Sequence, residues 1–91
     1  MKEPSGLISL CRNLHQDVDL FANSIGELAA YCVDGIPKDD RADLKAWLLS
    51  LGKLTNAELK GVINRAGKKA GADIYFDTKH VRQFVDAVIM D

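Results

Sequence analysis

Apolar residues recur along this chain at intervals of three and four, and five such stretches can be followed from one end to the other. That spacing puts a hydrophobic stripe on one face of an α-helix. Leu7, Leu10, Cys11 and Leu14 form the first stripe, with Ser5 placed to cap it. Ile25, Leu28 and Cys32 form the second, and Ser24 and Glu27 have the spacing of a capping box at its start. Gly35 then breaks the pattern, and Pro37 suits the first turn of another helix. The third stripe is Leu44, Trp47, Leu48 and Leu51, closed by Gly52. Thr55 and Glu58 form a second capping box, with Leu54 and Leu59 at hydrophobic-staple positions, before Leu59, Val62, Ile63 and Ala66. Gly71-Ala72-Asp73 reads as a turn and Ile74-Tyr75-Phe76 as a short extended piece. Asp77 is placed to cap the last helix, with Phe76 and Val81 as its staple and Val81, Phe84, Val85, Val88 and Ile89 turned inward.

None of these stripes can remain in water, so the expected fold is all-α: a compact bundle of four to five short helices forming a single domain over residues 1–91. A chain of 91 residues has room for one core only. That core should contain Leu44, Trp47, Leu48, Leu51, Leu59, Val62, Ile63, Phe84 and Val88. No stretch approaches the roughly 18 apolar residues of a membrane span. The apolar run Leu7 to Cys11 is too brief for a secretory signal, so a cytoplasmic protein is expected. Cys11 and Cys32 fall on apolar helical faces and should be reduced, buried thiols rather than a bridge.

The net charge of −1 conceals a strong polarity along the chain. Residues 1–44 carry eight acids and four bases, residues 45–72 one acid and six bases, and residues 73–91 four acids and two bases. Partners of opposite sign could therefore dock at different places. The acidic candidates are Asp17, Asp19, Glu27, Asp34, Asp39, Asp40 and Asp43. Asp39, Asp40 and Asp43 also suit the positive N-terminal end of the third helix, and the two roles are compatible. Lys60, Arg65, Lys68 and Lys69 are the basic candidates, Lys68 and Lys69 lying where cations favour a helix C-terminus.

Catalytic constellations are not apparent. The chain has no Gly-rich phosphate loop, nucleophile elbow, Cys-x-x-Cys pair or His-Glu-x-x-His motif, so a binding protein is expected rather than an enzyme. His15, Asp17 and Asp19 are chemically suitable metal ligands, but no further ligand is spaced to complete the sphere. Polar capping is the favoured reading of that cluster, and neither a metal nor another cofactor is expected. The basic residues allow a nucleic-acid reading, with Trp47 to Lys68 as a helix–turn–helix around Gly52. Few polar base-readers accompany them beyond Asn56, Lys60 and Asn64, so a solvated face is favoured.

Two segments are similar to a known family. Leu14-His15-Gln16-Asp17-Val18-Asp19-Leu20 resembles the "HQD-x-D" stretch of small immunity proteins from bacterial contact-dependent growth inhibition systems. Leu59-Lys60-Gly61-Val62-Ile63-Asn64-Arg65, followed by Gly71-Ala72-Asp73-Ile74-Tyr75-Phe76, resembles that family's second half. The likeness runs from about Leu7 to Met90 in the same order. It departs at Val18 and near Ile63, where aromatics are usual, and in a longer Gly67–Ala70 stretch. The resemblance implies a cytoplasmic inhibitor that forms a one-to-one complex with the toxic C-terminal domain of a delivered effector, such as a nuclease. It leaves open whether His15, Asp17 and Asp19 hold the fold or meet the toxin. Acidic residues would suit a cationic nuclease site, since complementary charge speeds encounter. The alternatives are a small helical nucleic-acid-binding domain using Lys60, Arg65, Lys68 and Lys69, and a helical adaptor within a larger assembly.

Overall fold

Each apolar stripe becomes a helix. The computed structural model describes residues 3–14 and 24–91, and over them the chain forms α1 (Ser5–Arg12), α2 (Ile25–Asp34), α3 (Lys38–Ser50), α4 (Asn56–Ala70) and α5 (Thr78–Met90). Strands are absent among the described residues. The radius of gyration is 11.7 Å, against about 12 Å for a compact domain of this length. α1 and α5 each pack on α2, α3 and α4, so the three middle helices share both as neighbours.

The core follows the stripes closely. Leu7, Leu10, Cys11 and Leu14 of the first, Leu28 and Cys32 of the second, Leu44, Trp47 and Leu48 of the third are buried. They meet Leu59, Ile63 and Ala66 of α4 and Val81, Phe84, Val85 and Val88 of α5. Leu51, Val62, Ile25 and Ile89 were expected inside but lie half-buried at the margin, each at the end or flank of its stripe. Phe76 is buried with Val81 in this core, and its ring stacks on Phe84 at a centroid distance of 4.5 Å.

Local capping matches the sequence where the partner is close in the chain. The Thr55 hydroxyl accepts from the Glu58 N–H at 3.2 Å, and the Thr55 N–H donates to the Glu58 carboxylate at 3.0 Å. Ser24 accepts from the Glu27 N–H at 3.2 Å, and Asp77 from the His80 N–H at 2.7 Å. These hydrogen bonds hold the Glu58 and Asp77 carboxyls below the usual range, the backbone donor being the main cause in both.

The structure corrects two termini. Ser5 does not cap α1: Pro4, extended at φ −73° and ψ 154°, precedes the helix, and the Ser5 hydroxyl donates instead to Asp40 at 3.4 Å. Pro37 stands one residue before α3, with ψ at 144°, rather than inside its first turn. Gly52 stands where a helix-ending glycine is expected, directly after the cap Leu51 at φ −88°; the Leu51 and Gly52 N–H groups donate to the Leu48 and Leu49 carbonyls, and Gly52 itself is not left-handed. The one left-handed residue among those described is Gly71, at φ +80°. There the Ala72 N–H donates to the Gly67 carbonyl at 2.9 Å and the Gly71 N–H to that of Lys68 at 3.3 Å, the Schellman closure of α4.

Beyond Gly71 the chain is held by distant partners. The Leu14 carbonyl accepts from the N–H groups of Asp73 and Ile74, at 2.8 and 3.3 Å. The Asn64 amide then grips Phe76 as a neighbouring strand would, accepting from its N–H at 2.9 Å and donating to its carbonyl at 2.8 Å.

Candidate functional site

The outer face of α3 brings together part of the acidic set. Asp39 and Asp43 are one turn apart on this face, and both are exposed. Ala42 and Ala46 are exposed beside them, and Leu49, 62% exposed, lies toward the far end. Short side chains between two carboxylates and an exposed leucine leave the helix surface open to close approach. Leu49 was not anticipated from the sequence, although its position holds the signal. Leu48 and Leu49 are adjacent, and neighbours on a helix point about 100° apart, so both cannot face one core.

Arg41 fixes where α2 ends relative to this face. Its guanidinium donates to the carbonyls of Ile36 at 2.7 Å and Asp34 at 3.2 Å, tying the C-terminal end of α2 to the first turns of α3. Asp34 is therefore an exposed carboxylate at the α2–α3 corner. It borders an open cavity of about 240 Å³ also lined by Asn13, Tyr31 and Gly35. The carboxylates of Asp34, Asp39 and Asp43 meet no cation within ion-pair distance among the described residues.

The remaining acidic candidates separate from this group. Asp40 is half-buried and turned toward α1, accepting from Ser5. Glu27 is exposed in the first turn of α2, about 10 Å along the helix from Asp34. Asp17 and Asp19, with His15, lie outside the described residues. Among the described residues no three His, Cys, Asp or Glu side chains converge as metal ligands, and no helix is long and apolar enough to cross a membrane.

The basic set lies on α4. Lys60, Arg65, Lys68 and Lys69 are all exposed there, and Lys69 reaches Glu3 at 3.9 Å. Two of the three proposed base-readers are already engaged, Lys60 being the exception. Asn64 is committed to Phe76, and the Asn56 side chain accepts from the Arg82 guanidinium at 3.0 Å. Arg82 also donates to the Leu54 carbonyl at 2.6 Å, so this pair anchors the α3–α4 connection to α5.

Cys11 and Cys32 are fully buried and unbridged. Burial is the main cause that pushes their thiols up from about 9 to about 11 and about 12. They are packing groups, neutral at physiological pH.

Comparison with protein-family models, with curated proteins and with solved structures returns no match. The outer face of α3 offers exposed carboxylates, small side chains and one exposed leucine on a well-packed helix.

Proposed function

We propose that this chain is an immunity protein of the contact-dependent growth inhibition type. In this reading it acts in the cytoplasm as a stoichiometric inhibitor, without turnover. It binds the toxic domain of a cognate effector, a nuclease being the class that best fits, and occludes its surface or active site. The observation that carries the reading is the outer face of α3, where Asp39 and Asp43 flank exposed Ala42 and Ala46 and lead to Leu49. Unpaired carboxylates on a packed helix steer a cationic partner, and an apolar contact at the end of the face slows its release. The two-segment resemblance described above supports the same class. Occupation of Asn56 and Asn64 counts against sequence-specific duplex recognition from α4.

The experiment pairs this protein with the toxin domain encoded beside it. Cells expressing that domain should survive only with this protein present, and the two should copurify one to one. The double variant Asp39→Asn, Asp43→Asn should slow association several-fold at low salt. The difference should shrink as salt rises, because the Debye length falls from ~10 Å at 0.1 M to ~3 Å at 1 M. Leu49→Ala should chiefly raise the off-rate. Asp39 also interacts with the α3 dipole, at about 0.3–1 kcal/mol, so stability is measured alongside. An unchanged association rate in the double variant would remove the α3 mechanism. The immunity reading itself fails if the neighbouring domain is neither bound nor neutralised.

A further inference from the structure

The α4 surface carries a second constellation, independent of the α3 face. Lys60, Arg65 and Lys68 point outward, away from the buried stripe of Leu59, Ile63 and Ala66, and none meets a carboxylate at ion-pair distance among the described residues. From Lys60 to Lys68 they span about 12 Å of helix. Beside them stands Tyr75, 52% exposed. A β-carbon built on Gly67 would lie 3.7 Å from a ring carbon of Tyr75, which places the ring against α4 over Gly67, the residue before Lys68. The ring is also held in place from behind. Asn64 bonds both backbone groups of Phe76, while Phe76 is buried and stacked on Phe84, so Tyr75 is turned outward.

We infer that the outer face of α4, with Tyr75 as a stacking platform, binds single-stranded nucleic acid with little sequence preference. Three cations along one helix neutralise successive phosphates, and a fixed exposed aromatic ring stacks an unpaired base. Asn56 and Asn64 are spent on the fold, so base edges go unread and the mode is sequence-tolerant. Duplex offers no unpaired base to Tyr75. An anionic membrane is disfavoured because the face has no apolar side chain to insert beyond that ring. Asp73 and Asp77 flank Tyr75 in sequence and are exposed, and Gly67 is buried beneath the ring, so the strand runs from the exposed side of Tyr75 toward Lys68 and Lys60 rather than along the connector.

The test is fluorescence anisotropy with a labelled oligothymidylate of roughly 16 nucleotides. Binding should weaken with salt at a log–log slope of about −2, the value for three phosphates on a single strand. Arg65→Gln with Lys68→Gln should weaken it at least tenfold and reduce the slope by more than half. Tyr75→Ala should lose about 5- to 150-fold, the range expected for one stacked base, with Tyr75→Phe restoring it. Lys38→Gln, on the α3 side, should change nothing. Circular dichroism establishes that each variant is folded. Equal affinity for duplex of the same length, binding to phosphatidylserine vesicles instead of the oligonucleotide, or indifference to Tyr75→Ala would each overturn the inference.

Discussion

Gly6 shows how one missing methyl sets the spacing of two helices. A β-carbon there would lie 2.8 Å from the Asp40 backbone oxygen and 3.2 Å from the Leu44 β-carbon, so α1 and α3 meet at a distance only glycine permits. Alanine favours a helix interior by about 1 kcal/mol over glycine. At Gly6 that gain is outweighed by overpacking of about 1–3 kcal/mol, because a backbone oxygen cannot step aside without moving α3. Gly6→Ala should therefore lower the urea midpoint. Gly61→Ala, whose nearest atom is the flexible Arg65 guanidinium at 4.0 Å, should raise stability by about 0.5–1 kcal/mol. The thiols give a second residue-scale test. Their folded pKa values, about 11 and about 12, lie above the ordinary value of about 9, so the unfolded chain releases protons first as pH rises. Their contribution is thus complete below about pH 9 and is lost between there and the folded values. Denaturation at pH 8 and pH 10 should show this loss, and replacing both cysteines by alanine should reduce it. Ellman's reagent should leave native protein unreacted and find both thiols once it is denatured.

Helices were legible in the sequence because their determinants are local. Periodicity located all five, and the caps at Ser24, Thr55 and Asp77 have partners three residues away. Termini settled by distant groups were not legible. Ser5 turns to Asp40, thirty-five residues on, and no local rule anticipates it. Asn64 is the clearest case. It reads as a polar residue on an exposed helix, yet it supplies the backbone pairing that the connector after Gly71 lacks. Asn64→Ala should cost more than Thr55→Ala, for which about 0.5–2 kcal/mol is expected. The reason is burial. Phe76 is inside, and its freed N–H and carbonyl would each carry a penalty of about 1–3 kcal/mol. Chemical denaturation of both variants checks the order, and equal losses would show that water replaces the amide at Phe76.

At the scale of the molecule, the acidic run in the sequence became something narrower in space. Among the described residues, Asp39 and Asp43 share a face, Asp34 stands at the corner, Asp40 turns to α1, and Glu27 sits at the opposite end of α2. Charge along a chain shows which elements are acidic, but packing decides which carboxylates a partner can reach at once. The exposed residues completing the two faces, Leu49 and Tyr75, became visible only once the core had taken their neighbours Leu48 and Phe76. Trp47 tests whether that core is one unit. It is buried among residues from several helices, and Trp47→Ala should cost about 3–5 kcal/mol in a single cooperative transition. Two separate transitions would show that the bundle is divided.

The place of α5 has a consequence for how the protein is made. Val81, Phe84, Val85 and Val88 fill the core shared with α2, α3 and α4, and they are made after the core residues of the other four helices. As the chain leaves the ribosome, α2, α3 and α4 can bury part of their apolar stripes against α1, but the side of the core that α5 covers stays open. The newborn protein must therefore wait in an unfinished state, open to chaperones and proteases, until residues 78–90 have emerged. Nascent chains stalled before Thr78 should be digested readily, and those stalled well beyond Met90 should resist.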